Sequence, residues 1–223
     1  MRHIDRLPSP RILTEKHSEW QQKYDEKLKT NPKARPDSTK YAHKDIRRQL
    51  MTMSYGKCFY CESRLSNRTK EVDHFIEVAV DRSKAYAWEN LYLSCQNCND
   101  KIPHDVISVD EALDPCRDSD ETIKANISFD NEMIVAVPGS PLGLNTIKKF
   151  RLNDEQLDNR RAKWLIRIER ELRMILINML DEGRNKLNEN ERLIIESFKQ
   201  PNQPYSLMSE IYIDGISALK RYL

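Results

Sequence analysis

Residues 57–102 read KCFYCESRLSNRTKEVDHFIEVAVDRSKAYAWENLYLSCQNCNDKI, and this stretch decides the fold. Cys58-Phe59-Tyr60-Cys61 opens it and Cys95-Gln96-Asn97-Cys98 closes it, two C-x2-C pairs separated by residues 62–94. Two residues between thiolates let the backbone turn so that both sulfurs reach one tetrahedral ion at about 2.3 Å. The chain has five cysteines, and four of them fall into these two pairs, which points to a structural Zn2+ site rather than to four unrelated thiols. Cys116, the fifth, reads as a loop thiol. A closed four-sulfur site leaves no coordination position for catalysis. Its effect is to tie the chain near residue 60 to the chain near residue 97, so that what lies between is held rigidly without a large apolar core. Short runs of Phe, Tyr, Val and Ile between the pairs fit a β-hairpin.

Within and beside that frame stand Val72-Asp73-His74, then Glu89-Asn90-Leu91, then Cys98-Asn99-Asp100-Lys101. This ordered set resembles the HNH endonuclease family, in the subtype whose ββα-metal core is braced by four cysteines. The resemblance implies an α+β fold and metal-dependent hydrolysis of DNA phosphodiester bonds, leaving a 5′-phosphate. It also implies roles. Asp73 and Asn99 would hold one catalytic Mg2+ or Mn2+ on oxygen ligands. His74 would take a proton from water, its ordinary pKa near 6.5 suiting a base at neutral pH. Asn90 would hydrogen-bond backbone and keep the loop and His74 in register. Strand alternation sends Asp73 and His74 to opposite faces unless the backbone bends, so a bulge or strand end is expected at that dipeptide. The segment departs from the family where many members carry a proline soon after Asp-His; here it reads Phe75-Ile76-Glu77-Val78. Glu77 and His104 are candidate additional ligands, and His104 and Lys101 candidate phosphate contacts.

The resemblance extends beyond the core. Arg2-His3-Ile4, Leu113-Asp114-Pro115, ISFDNEMIVAV at 127–137, Asn145-Thr146-Ile147, Phe150-Arg151-Leu152-Asn153 and Leu157 with Arg160-Arg161 are similar to the retron-associated and Septu-type HNH proteins of bacterial anti-phage systems. Those proteins act beside a separate ATPase of the SMC and ABC type, which implies a hetero-oligomer with DNA and an ATPase as partners. Other readings fit the same residues: a free-standing restriction or mobile-element HNH nuclease, or a non-catalytic zinc-ribbon binding module in which Asp73 and His74 pair and the asparagines serve turns. RNA is an alternative substrate.

Around the core the pattern predicts residues 1–56 as an N-terminal arm and helices, 57–105 as the nuclease core, 106–142 as loop and second hairpin, and 143–223 as a helical region. The arm runs to residue 13, a helix capped at Thr14 carries Trp20, Tyr24 and Leu28 on one stripe, and NPKARPDS at 31–38 is a linker. A second helix runs from Ser38 or Thr39 to Gly56. The acidic stretch 103–122 reads as loop, and 127–137 as a hairpin turning at Asp130-Asn131, closed by Pro138–Pro141. Asn153 or Asp154 caps a long helix ending or kinking at Gly183, followed by helices over 188–199 and 205–222. Arg160, Lys163, Arg167 and Arg170 share one face of the long helix, a candidate nucleic-acid stripe whose bland alternative is a solvated face.

Composition agrees with a soluble protein: 39% apolar and 32% charged residues, with no apolar run near the ~20 residues of a membrane span. MRHIDRLPSPRILTEKH has no apolar core of a secretory signal, so cysteines in a reducing bacterial cytoplasm are expected. The formal net charge is +2. Four zinc-bound thiolates and one ion bring it to about zero. A protein that grips DNA alone shows a basic excess. Here the cations are segregated on one face, or a partner supplies much of the grip.

Overall fold

The computed structural model describes residues 1–66, 69–217 and 219–222. Its centre is the stretch between the cysteine pairs. Strand β1 (Lys70–His74) pairs antiparallel with β2 (Leu91–Cys95), Lys70 opposite Cys95 and His74 opposite Leu91. Every residue of β2 is buried, and Cys95 leads directly into the short helix α4 (Gln96–Asn99), completing a ββα unit. Strand β1 ends at His74, with the register regular up to that point, Asp73 opposite Tyr92 and His74 opposite Leu91. The fold is α+β, with this unit and one further hairpin set among helices.

Helix α1 (Arg11–Thr30) buries Leu13, Trp20 and Tyr24. It starts earlier than a Thr14 cap would allow, because Pro10 at the cap position has the extended backbone that admits a helix after it. The expected second helix is two: α2 (Ser38–Tyr41) and α3 (Lys44–Met53). The chain breaks at Ala42-His43, where His43 turns extended and its Nδ1 accepts from Asp45 N. The break lets α3 bury Ile46 and Leu50 completely against the sheet while α2 stays on the surface.

The acidic stretch 103–122 is less loop-like than its composition implies. Ser108 caps a 3-10 turn at Val109–Glu111, and Ser119 caps α5 (Asp120–Asn126), whose early carboxylates favour the positive end of the helix dipole. Strands β3 (Ile127–Asp130) and β4 (Met133–Ala136) form the second hairpin, with Asn131 at φ 54° in its turn. Pro141 does not close that hairpin but opens α6 (Pro141–Lys149), capped by Ser140.

Helix α7 (Glu155–Asp181) is capped by Asp154, and Gly183 at φ 64° follows its end. Its first turns bury Leu157 in the main core; Leu165, Ile168, Leu172, Ile175 and Met179 belong to a second apolar cluster. Helices α8 (Glu189–Ser197) and α9 (Ser206–Gly215) close that cluster with Ile195, Met208 and Ile213. The last helix ends at Gly215 rather than running to 222, and a 3-10 turn takes over at Leu219–Arg221. A helical glycine costs about 1 kcal/mol against alanine, which favours the stop there. Among the described residues no helix is long and apolar enough to cross a membrane.

Helix α6 sits so close to α5 that a Cβ on Gly143 would lie 2.0 Å from the Asn126 carbonyl oxygen. Gly143→Ala should therefore lower stability by about 1–3 kcal/mol despite alanine's better helix propensity. Gly215→Ala, where nothing lies within 4 Å, should not. Thermal unfolding of the two variants side by side checks this.

Candidate active site and four-cysteine cluster

The sulfurs of Cys58, Cys61, Cys95 and Cys98 all lie within 4.8 Å of one another, and all four residues are buried. Cys61 Sγ and Cys95 Sγ are 3.8 Å apart. Tetrahedral bonds of about 2.3 Å imply sulfur–sulfur edges of about 3.8 Å, far from the ~2.05 Å of a disulfide. The cluster is thus positioned for one metal ion, and an all-sulfur tetrahedral set suits zinc. Phe59 N donates to Leu93 O at 2.9 Å, fixing the first turn against β2. Ser63 Oγ stands 3.2 Å from Cys61 Sγ and 3.1 Å from Tyr205 Oη, linking the cluster to the start of α9.

The two residues between Cys58 and Cys61 are themselves structural. Phe59 and Tyr60 are fully buried, and Tyr60 Oη donates to Asp73 Oδ2 at 2.7 Å. Lys101 Nζ donates to both carboxylate oxygens of Asp73 at 2.9 Å, to Phe75 O at 3.1 Å and to the His74 carbonyl. Both side chains of this ion pair are nearly inaccessible. Lys101 therefore lies against Asp73, placed there because it follows α4 while Asp73 sits near the end of β1.

His74 Nε2 donates to Ala85 O at 2.8 Å, which assigns the proton to Nε2 and leaves Nδ1 as the acceptor. The Tyr41 ring packs edge-on against the imidazole at 4.6 Å. Burial pushes the His74 pKa below its ordinary 6.5; the Ala85 carbonyl and Asp73 oppose the shift without cancelling it, and Lys101 adds to it.

Asn90 binds backbone with both ends of its amide. Oδ1 accepts from Ile76 N at 2.7 Å, while Nδ2 donates to Ile76 O at 3.0 Å and Lys84 O at 3.2 Å. Phe75 N donates to Asn90 O at 2.9 Å. The segment leaving β1 is thereby fastened at Phe75 and Ile76, directly after His74. Asn99 Nδ2 donates to Glu71 Oε2 at 2.5 Å, so the amide oxygen is the atom left for another partner.

Asp73, His74, Glu77, Asn99 and Lys101 all line one open cleft of about 930 Å³. Glu77 Oε1 accepts from the fully buried Lys149 at 2.7 Å, and its Oε2 is buried without a partner among the described residues. His104 does not line this cleft; its Nδ1 is likewise buried and unpartnered among the described residues. Arg160 lines a second cleft with Glu71 and Asn99, whereas Lys163 and Arg167 line neither, and the Arg167 guanidinium lies 5.0 Å over the Trp164 ring. Sequence reasoning missed Tyr60, Glu71 and Lys149, whose contacts join distant segments. It also missed the linker 31–38, which forms one wall of the His74 cleft.

The family model described as HNH endonuclease matches residues 58–104. These residues form an HNH endonuclease domain. The chain is also similar to Septu protein PtuB from Bacillus thuringiensis, 41% identical over 58 residues, or 25% of this chain and 23% of that protein. The match to Septu protein PtuB from Bacillus mycoides strain KBAB4 is 24% identical over 238 aligned positions, covering 82% of this chain and 78% of that protein. The first likeness spans under a quarter of its relative; the second reaches into the helical regions. The matched residues 58–104 include the four cysteines together with Asp73, His74, Asn90, Asn99 and Lys101.

Replacing one sulfur tests what the cluster does. Cys61→Ser should lose bound zinc, measured as metal per chain, and with it the near-ultraviolet circular dichroism of the packed Tyr60 and Tyr92 rings.

Proposed function

We propose that this chain is a metal-dependent endonuclease that hydrolyses DNA phosphodiester bonds, acting as the nuclease subunit of a bacterial anti-phage assembly with a separate ATPase. The observation that carries the nuclease reading is the convergence of Asp73, His74 and Asn99 on one open cleft within the HNH domain, on a strand end fastened by Asn90. The four cysteines would hold structural Zn2+.

The donor set suits a hard divalent cation. Asp73 offers carboxylate oxygens, which Lys101 Nζ holds at 2.9 Å in this structure, so a divalent ion would share the carboxylate with that ammonium or displace it. The Asn99 oxygen completes an all-oxygen pair suited to Mg2+ or Mn2+. When bound, the ion supplies charge stabilisation at the phosphate and the leaving oxygen. The protein's own groups do the rest. His74 Nδ1 takes the proton from the attacking water while Nε2 stays fixed on Ala85 O. Tyr60 and Lys101 hold the Asp73 carboxylate in its orientation. Asn90 holds the loop that sets the imidazole plane.

The partner reading is supported by the Septu likeness and by exposed apolar side chains on α7 and α8, with Met174 at 51%, Leu180 at 65% and Leu193 at 61% accessible. Co-purification with an ATPase encoded beside this gene tests it; a chain that stays alone and cleaves without help is a free-standing nuclease.

His74→Ala should abolish metal-dependent plasmid nicking while leaving the fold and zinc content intact. Asp73→Ala should also abolish it and weaken Mg2+ or Mn2+ binding. Because it strands a buried ammonium, it should destabilise the domain by roughly 3–5 kcal/mol. Nicking retained by both variants would sink the mechanism.

The His74 shift has a definite sign. A base whose pKa is depressed stays neutral, and so competent, at lower pH than free imidazole. The acid limb of the rate profile should therefore have its midpoint below pH 6.5. A midpoint above that value would mean that another group supplies the base.

A further inference from the structure

We propose that Lys33, Arg35 and Arg82 form a preformed cationic rim that takes the phosphodiester backbone of a nucleic acid across the His74 cleft. The proposal rests on the nuclease reading and adds the surface that holds the polymer.

All three cations are exposed and line the same cleft as Asp73 and His74. Among the described residues none of them has a carboxylate partner. On α1, by contrast, Arg11 pairs with Glu15, and Lys16 and Lys23 pair with Glu19, while Lys27 and Lys29 in its last turn have no ion pair among the described residues. The acidic groups of the cleft are already engaged, Asp73 by Lys101 and Glu77 by Lys149. Asp37 and Asp81, which flank the rim, accept from Thr39 N and Ser83 N at helix starts, and Asp37 also lies 4.0 Å from Lys40. At the cleft mouth the three cations stand without an ion-pair partner among the described residues.

The rim is also rigid where a linker would be loose. Pro32 and Pro36 restrict the backbone on either side of Lys33 and Arg35. Arg82 Nη2 donates to Pro32 O at 2.8 Å, Tyr24 Oη donates to Ala34 O at 3.2 Å, and Asp37 N donates to Tyr86 Oη at 3.0 Å. Tyr24 and Tyr86 are buried and come from separate elements. The backbone is pinned from two sides while the Lys33 and Arg35 side chains remain free to reach outward. Fixed cations at a cleft that holds a hydrolytic centre match a polyanion whose backbone must cross that centre. A small anion would not need three charges spread along one wall.

The experiment measures binding of a short DNA duplex to full-length His74→Ala protein without divalent ions, over a range of salt concentrations. Single-stranded RNA of matching length is run beside it. Adding Lys33→Gln and Arg35→Gln should weaken binding about tenfold or more at low salt and reduce the log–log salt slope by about 2, one per lost phosphate contact. The pair Lys163→Gln and Arg167→Gln on α7 should change neither quantity. The same rim-dependent loss on DNA or on RNA supports the rim and says which polymer it takes. Unchanged affinity and slope in the rim variant, or a loss confined to the α7 pair, overturns it. If the rim variant binds fully while His74→Ala still abolishes nicking by the parent protein, the rim falls and the nuclease reading stands. If neither polymer binds and the parent protein nicks nothing, both fall.

Discussion

Four cysteine sulfurs packed within 4.8 Å of one another repel as thiolates and crowd as thiols, and a divalent ion between them removes both costs. The rest of the nuclease domain hangs from that constraint. The first cysteine pair also brackets the turn that carries Phe59 and Tyr60 into the core, and the second pair ends β2 and lies in α4. Tyr60 then reaches Asp73, stacks on Phe150 at 4.1 Å and lies parallel to Tyr92 at 6.0 Å. The four-cysteine cluster and the cleft that holds Asp73 and His74 are therefore one side chain apart. Distortion at Cys61 reaches Asp73 without crossing any flexible segment.

Buried charge around the cleft is compensated pair by pair. Lys101 answers Asp73 and Lys149 answers Glu77, while Lys57 answers Glu62 on the far side of the cysteine turn. Burial would push the Glu62 carboxyl up, yet Lys57 and its hydrogen-bonded neighbours hold it well below the usual carboxylate range. Ser206 Oγ donates to the same carboxylate at 2.6 Å, so the cysteine turn is bonded to α9 as well as to its own hairpin. Such pairs add little net stability over apolar packing, but losing one partner leaves an uncompensated charge and costs several kcal/mol. They therefore specify one arrangement of the cleft more than they strengthen it.

The local features were the legible ones. Cysteine spacing announces a four-sulfur cluster because two intervening residues set a turn whatever the rest of the chain does. The Asp130-Asn131 turn and the Asp154 cap are likewise fixed by neighbours in sequence, and the structure has both. What could not be read joins segments that are far apart. Lys101 meets Asp73 across 28 positions and Lys149 meets Glu77 across 72, and neither lysine carries a local signal of its partner. Capping chemistry misled in places too. Thr14 is a good cap by type, but Pro10 had already fixed an extended residue ahead of it, and the helix started there. The break at Ala42-His43 hides inside an unbroken helical composition, because it is set by where α3 must lie to bury Ile46 and Leu50.

The small net charge shows the same limit from another side. A total of +2 counts every ionised group once and says nothing about which are already paired. Phosphate responds to the field at the cleft mouth, within about 10 Å in ordinary salt. There Lys101 and Lys149 cancel the carboxylates at the base, and the linker's cations stand without carboxylate partners among the described residues. On α7 the cations that share a face in sequence alternate with Glu169 and Glu171, and Arg167 rests on Trp164. A stripe chosen by helical periodicity can thus be weaker than three cations drawn from a proline-rich linker and a 3-10 turn. The strength of a nucleic-acid surface depends on which charges the fold leaves unmatched, and folding decides that through contacts that no count of residues contains.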